Sequence, residues 1–225
     1  MHWLQPLGLS LLMLTNLYVI FAYAPVERTM GIIQKIFYFH VASAWIGFLA
    51  FFVVFAASIA YLRTRSAAHD RLAVASAEIG TLFTTLVLVT GPLWARPVWN
   101  TWWTWDARLT STLVMWFMYL AYIILQHSLS GRTRARLAAV YGIVAFSNVP
   151  LVFFSIRWWR SLHPVVIATD GGGLTPPMVQ TLLFSLATFF VLYLYLLQYR
   201  LRVLTLAHQV SHVLHYTYGE EGDAP

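Results

Sequence analysis

Six apolar runs separated by short polar segments organise this sequence. They cover Leu7 to Ala24, about Ile36 to Leu62, about Leu72 to Leu93, about Leu109 to Gln126, about Leu137 to Ile156, and about Pro177 to Tyr199. Each is roughly 18–26 residues, the length an α-helix needs to cross a hydrocarbon core of about 30 Å. The pattern predicts an all-α, polytopic membrane protein with six transmembrane helices in a single transmembrane domain, 1–225, without internal repeats. Prolines punctuate it. Pro25 stops the first run and Gly91-Pro92 the third, while Pro176-Pro177 opens the sixth, where proline is tolerated. Asn148-Val149-Pro150 falls inside the fifth and predicts a kink, because proline removes one backbone hydrogen bond.

Composition agrees. Hydrophobic residues make up 60% and charged residues 10% of the chain, where soluble domains carry about 25% charged. A soluble enzyme, a disordered tail and a nucleic-acid binder are excluded. The absence of cysteine removes disulfides, thiolate nucleophiles and Cys-ligated zinc or iron–sulfur centres. No Walker A sequence occurs, so ATP hydrolysis is not expected of this chain, and a transport protein is favoured over an enzyme.

The net charge of +6 is topological rather than a nucleic-acid signature. Arg63, Arg65 and Arg71, then Arg132, Arg134 and Arg136, then Arg200 and Arg202 fall on one side, which the positive-inside rule makes cytoplasmic. Both termini are then expected inside. Ala22-Tyr23-Ala24 imitates a signal-peptidase site, but nothing basic precedes Leu7 and proline follows the cut, so the first run is expected to be a retained helix. Arg28, Lys35, Arg96, Arg108, Arg157 and Arg160 remain on the outer side and need their own explanation.

The outer segment between runs three and four supplies one. Trp94, Trp99, Trp102, Trp103 and Trp105 place five of the ten tryptophans within twelve residues. An interfacial aromatic belt scatters Trp over all helix ends; it does not concentrate them in one loop. Trp99, Trp102 and Trp103 have the i, i+3, i+4 spacing of one helical face, suited to stacking a large planar ligand. Of the eight histidines, only His40 and His163 belong to the outer half. Each alone reads as an interfacial side chain; as a pair flanking the Trp loop they read as axial ligands to haem iron. Arg96, Arg108, Arg157 and Arg160 could then bind the two propionates through paired hydrogen bonds, or pair with lipid headgroups or Asp106. Asp106 could equally cap the fourth helix or orient an Arg or His. His208, His212 and His215 (i, i+4, i+7) lack an accompanying carboxylate and read as a solvated helix end. Glu78, within run three near the cytoplasmic end, has no assigned role.

The segment Pro97-x-Trp99-x-Thr101-Trp102-Trp103-x-Trp105-Asp106-Ala107-Arg108 resembles the tryptophan-rich signature of the haem-handling CcmC/CcmF/CcsA family of cytochrome c biogenesis. With Ile36-Phe37-Tyr38-Phe39-His40-Val41, Trp158-Trp159-x-Ser161-Leu162-His163 and the six spans, the resemblance is to the CcmC branch, the haem exporter protein C family, over roughly runs two to six. It implies axial ligation by His40 and His163, a platform of Trp94, Trp99, Trp102, Trp103 and Trp105, and a transiently held, non-covalent b-type haem. It further implies delivery to the haem chaperone CcmE from a complex with CcmA, CcmB and CcmD, at the periplasmic face of a bacterial inner membrane. Two departures stand out: Ala95 and Asn100 replace usual glycines. The residues also leave open a bis-His b-type cytochrome for electron transfer, and a cofactor-free permease subunit whose Trp loop is a docking surface. A transfer site is expected to be a shallow platform at the surface.

Overall fold

The computed structural model describes residues 4–128, 131–159 and 173–219, without the side chains of 211, 212 and 215–219. Helix α1 (Leu4–Tyr18) continues through one π-helical turn (Val19–Tyr23), and a 3-10 turn (Ile32–Lys35) leads into α2 (Ile36–Thr64). There follow α3 (Ala67–Trp99), α4 (Ala107–Ser128), α5 (Gly131–Phe146), α6 (Asn148–Trp158) and α7 (Pro176–Gly219). With α5 and α6 taken as one broken span, six segments are long and apolar enough to cross a membrane.

Two boundaries bear on the site. Gly91-Pro92 does not stop the third span: α3 runs through Pro92 and Pro97 to Trp99. Proline forfeits a backbone bond, but in a membrane bundle neighbouring helices hold such a helix together. Here Trp94 is buried against Phe37 and His40 of α2, so packing outweighs the local break. The fifth span, by contrast, breaks where expected. Pro150 cannot donate to Phe146 O, the i−4 carbonyl, and α5 ends at Phe146, with Ser147 joining it to α6.

Helix α2 is central, packing against α3, α5 and α7, while α4 contacts α3, α5 and α6. Lipid tails are as apolar as leucine, so helix association in a bilayer rests on close packing and polar pairing. A Cβ on Gly80 of α3 would lie 2.6 Å from the Phe51 ring, and one on Gly142 of α5 would lie 2.9 Å from Ser58 Oγ. These glycines set how closely α3 and α5 approach α2. The Phe51 and Tyr119 rings stack at 3.5 Å between centroids. Polar pairs tie further helices together: Asn16 with Ser185 (2.9 Å), Ser76 with Tyr193 (2.7 Å) and Trp116 Nε1 with Thr85 (2.8 Å). Leu4, Leu7, Leu11 and Leu14 of α1 form an exposed stripe at helical spacing, the face a membrane would cover.

The two ends of the bundle are chemically distinct. Where α2 begins and α3 ends, Lys35 is 3% exposed. Its ammonium donates to Ile20 O (2.8 Å), Phe21 O (2.8 Å) and Ala24 O (3.2 Å). Three donors meet three carbonyls at the C-terminal end of the first span, where the helix dipole also favours a cation. Lys35 is thus a structural cap. Glu27, in the preceding turn, accepts from the Met30 and Thr29 amides; the Met30 bond foremost holds its carboxyl below the usual carboxylate range. At the opposite end, Arg134 ion-pairs with Asp70, and Arg200 binds Glu78 through two nitrogens. Glu78 therefore has a partner on α7 and fastens α3 to it.

Candidate haem site

At the Lys35 end, α2, α3, α4 and α6 diverge around a cavity enclosing about 1390 Å³ of atom-free space, its open mouth included. Its lining includes His40 from α2, Trp94 and Trp99 from α3, Trp103 and Asp106 from the connecting segment, Arg108 from α4 and Arg157 from α6. Residues spread over more than a hundred positions therefore converge, because each sits at the same end of its helix.

His40 is 5% exposed, and its Nδ1 lies 2.9 Å from Thr90 Oγ1. With the Thr90 hydroxyl donating to Leu86 O at 2.7 Å, its oxygen accepts from His40, an arrangement that puts the proton of the neutral ring on Nδ1 and the lone pair on Nε2. That is the tautomer a metal takes, with the second nitrogen held by an outer partner. A Cβ on Gly91 would meet His40 Cε1 at 3.4 Å, so the imidazole packs directly on the α3 backbone.

The aromatic wall continues from His40. Its ring meets Trp94 edge-on at 5.9 Å, and Trp94 meets Trp99 at 5.6 Å. Trp94 is 2% exposed. The indole N–H groups of Trp94 and Trp103 are buried without a hydrogen-bond partner among the described residues. A buried unpartnered donor costs about 1–3 kcal/mol, and these two belong to residues that line the cavity, where a bound acceptor could meet them. Haem carries two carboxylates and a flat apolar ring; these walls fit both.

The Trp segment is not one helical face. Helix α3 ends at Asn100, which takes the left-handed conformation (φ 55°). Asparagine tolerates this region, so Asn100 fulfils the turn for which a glycine would otherwise be expected. Residues 101–106 are then irregular, and Trp99, Trp102 and Trp103 do not share a stripe. Trp94, Trp99 and Trp103 line the cavity, whereas Trp102 and Trp105 are 56% and 76% exposed.

The cations also separate. Arg108 and Arg157 line the cavity. Arg96 does not: it is exposed, donates to Asn100 O (2.9 Å) and Oδ1 (2.6 Å), and lies over the Trp102 ring at 5.9 Å. Asp106 caps α4, its Oδ1 accepting from the Arg108 (2.9 Å) and Leu109 (3.0 Å) amides, while its Oδ2 accepts from Thr104 Oγ1 (3.0 Å). The cap aims the first turn of α4, and with it Arg108, at the cavity. His163 and Arg160 lie outside the described residues. So do the side chains of His212 and His215; among the described residues no group of three or more His, Asp or Glu side chains is placed to hold a metal ion.

Thr90, Trp45, Phe48, Met115 and Phe153 were not singled out by the sequence. The last four complete the apolar wall, and nothing in the order of residues distinguishes them from ordinary helix packing. Thr90 had a faint signal, a hydroxyl one helical turn before Trp94.

The model of the family described as Heme exporter protein C matches residues 1–215. Among curated relatives, the chain is 40% identical over 173 residues to the Heme exporter protein C of Bradyrhizobium diazoefficiens, covering 73% of this chain and 66% of that protein. It is 35% identical over 189 residues to that of Haemophilus influenzae, covering 81% and 76%. The protein of the same name in Escherichia coli is 42% identical over 147 residues, covering 64% and 59%. The chain thus spans about two thirds of the Bradyrhizobium relative and 59% of the Escherichia one.

Proposed function

Since the chain belongs to the haem exporter protein C family, we propose that it handles haem in cytochrome c biogenesis and holds it as cargo in the cavity beside His40. The observation that carries this reading is the convergence on one cavity of a buried His40 with its Nδ1 engaged by Thr90, the unpartnered indole donors of Trp94 and Trp103, and Arg108 and Arg157.

His40 Nε2 is the first axial ligand, and His163, in the segment joining α6 to α7, is the second. Trp94, Trp99 and Trp103 flank the macrocycle. Arg108 and Arg157 pair with the propionates, and the two indole N–H groups donate to the same carboxylates. Two imidazoles leave iron no open position for oxygen chemistry, which suits carriage rather than catalysis. The haem is b-type, with no covalent bond from the protein to its ring, and the loaded face is periplasmic. From there haem passes to a CcmE-type chaperone, with CcmA, CcmB and CcmD as companions in the inner membrane.

The site is deeper than the surface platform expected from the Trp run, and its burial favours tight retention. That keeps one competing reading alive, a b-type cytochrome whose haem never leaves. The test is the visible spectrum of the full chain in detergent, beside His40→Ala and His163→Ala, followed by mixing with an excess of a haem-free acceptor globin. The expected result is a low-spin Soret band lost in both variants and drained by the acceptor. A colourless wild type, or a band indifferent to both histidines, overturns the ligand assignment; a band the acceptor cannot drain favours the cytochrome.

A further inference from the structure

The end of the bundle opposite His40 carries a second concavity. It is lined by Tyr61 and Arg65 at the end of α2, Ala67, Asp70, Arg71 and Val74 of α3, Gly131, Arg132, Arg134 and Ala135 of α5, and Leu204 and His208 of α7. Among the described residues four arginines and one carboxylate line it, and that carboxylate, Asp70, is already ion-paired with Arg134. The first turn of α3, a helix of 33 residues, opens on the same space at Ala67, adding the positive end of a helix dipole. The positive-inside tendency explains why arginines gather on this face. It does not explain why four of them share one hollow, when Arg63, Arg136 and Arg202 of the same face lie outside it.

The other lining groups narrow the ligand. Val74, Ala135 and Leu204 give the hollow an apolar wall beside its charged rim, and Tyr61 is almost wholly buried beneath it. The site lies where the spans α2, α3 and α5 end, the level at which a bilayer changes from acyl chain to headgroup. Arginine's planar fork matches phosphate oxygens two at a time, and basic pockets between transmembrane helices on the cytoplasmic side suit anionic headgroups. We propose that this hollow is a binding site for the phosphate of an anionic membrane lipid, with Arg65, Arg71 and Arg132 gripping the headgroup and Val74 and Leu204 receiving the acyl chains. Arg134, held by Asp70, positions α5 against α3 and so shapes the site. Lipid bound here joins α2, α3, α5 and α7 at the cytoplasmic face, remote from the haem cavity.

Native mass spectrometry of the full chain released from micelles doped with phosphatidylglycerol or phosphatidylcholine tests this. Three proteins are compared: wild type, the pocket triple Arg65→Gln/Arg71→Gln/Arg132→Gln, and the control triple Arg63→Gln/Arg136→Gln/Arg202→Gln, which removes equal charge from the same face. With about five-fold in affinity for each arginine that grips the headgroup, the pocket triple is expected to lose phosphatidylglycerol preference by on the order of a hundred-fold, well beyond any loss in the control. Equal retention of both lipids by wild type, or equal losses in the two triples, overturns the site in favour of general surface charge. Displacement of the lipid by millimolar inorganic phosphate reassigns the ligand to free phosphate and overturns the lipid assignment. Arg65→Gln alone, at an exposed side chain, reads the same preference should the triple not fold; no loss in it and in Arg71→Gln overturns the site as well.

Discussion

Replacing Thr90 by valine removes one hydroxyl and changes almost nothing in shape, which makes it the sharpest probe of the haem site. In the native arrangement Thr90 Oγ1 spends its proton on Leu86 O at 2.7 Å and accepts from His40 Nδ1 at 2.9 Å. Valine offers no acceptor, so the Nδ1–H of a 5%-exposed ring loses this bond at a cost of about 1–3 kcal/mol. The ring can limit that cost by moving its proton to Nε2 or by turning, and either response spoils the proposed iron ligand. Loss of such outer partners typically weakens metal binding about 10–100-fold, which at about 1.4 kcal/mol per decade is the same range reached from the hydrogen bond. The assay is a haem titration of the full chain in detergent, followed at the Soret band. Thr90→Val is expected to raise Kd about 10–100-fold and to shift the spectrum away from low spin. Thr90→Ser, which keeps the hydroxyl, should stay within about three-fold of wild type, a spread of under 1 kcal/mol. Wild-type affinity and spectrum in Thr90→Val would refute the tautomer argument; equal damage in Thr90→Ser would show that Thr90 acts by packing.

Two further outcomes follow from the same geometry. Lys35→Met removes the ammonium that closes three carbonyls at the end of the first span, and hydrogen bonds to charged groups contribute about 1.5–3 kcal/mol. A loss of roughly 3 kcal/mol is expected, read as a lowered midpoint in tryptophan-fluorescence unfolding, and an unchanged midpoint would remove Lys35 from the structural account. Trp102→Ala with Trp105→Ala touches only exposed rings, so haem affinity should stay within about three-fold of wild type, whereas Trp94→Ala should abolish stable binding; comparable losses in both would contradict the division of the Trp segment.

The elements were legible because they repeat a strong signal. Six apolar runs of spanning length read as six spans, and Pro150 marked the break between α5 and α6 through the one carbonyl, Phe146 O, that it cannot serve. Pro92 misled for a related reason. Its local cost is the same, but Trp94 lies two residues beyond it and is buried against α2, a tertiary gain that no reading of local punctuation contains. The pairs Glu78–Arg200 and Asp70–Arg134 were equally hidden, since their partners are separated by 122 and 64 positions. Composition can announce that a carboxylate sits in a span; only the crossing of α3 with α7 shows what neutralises Glu78.

The Trp segment shows where residue type stops being informative and direction takes over. The spacing of Trp99, Trp102 and Trp103 predicts one helical face, and the family resemblance implies a platform of all five tryptophans. The left-handed Asn100 ends that helix and turns the chain, so alternate tryptophans part company: Trp94, Trp99 and Trp103 face the cavity, while Trp102 and Trp105 face away. One segment therefore presents two chemically similar surfaces to different surroundings. The inner surface suits the flat ligand proposed for it, whose carboxylates could accept from the indole donors. The outer surface, with Arg96 drawn over Trp102, is an amphipathic patch on the wall of the same site. The exposed patch and the proposed haem cavity are sides of one short segment, which also holds Trp103 and the Asp106 cap of α4. The loop carried two rival expectations, a ligand platform and a docking surface; Trp94, Trp99 and Trp103 line the cavity while Trp102 and Trp105 stand exposed, so the two can be tested on different tryptophans.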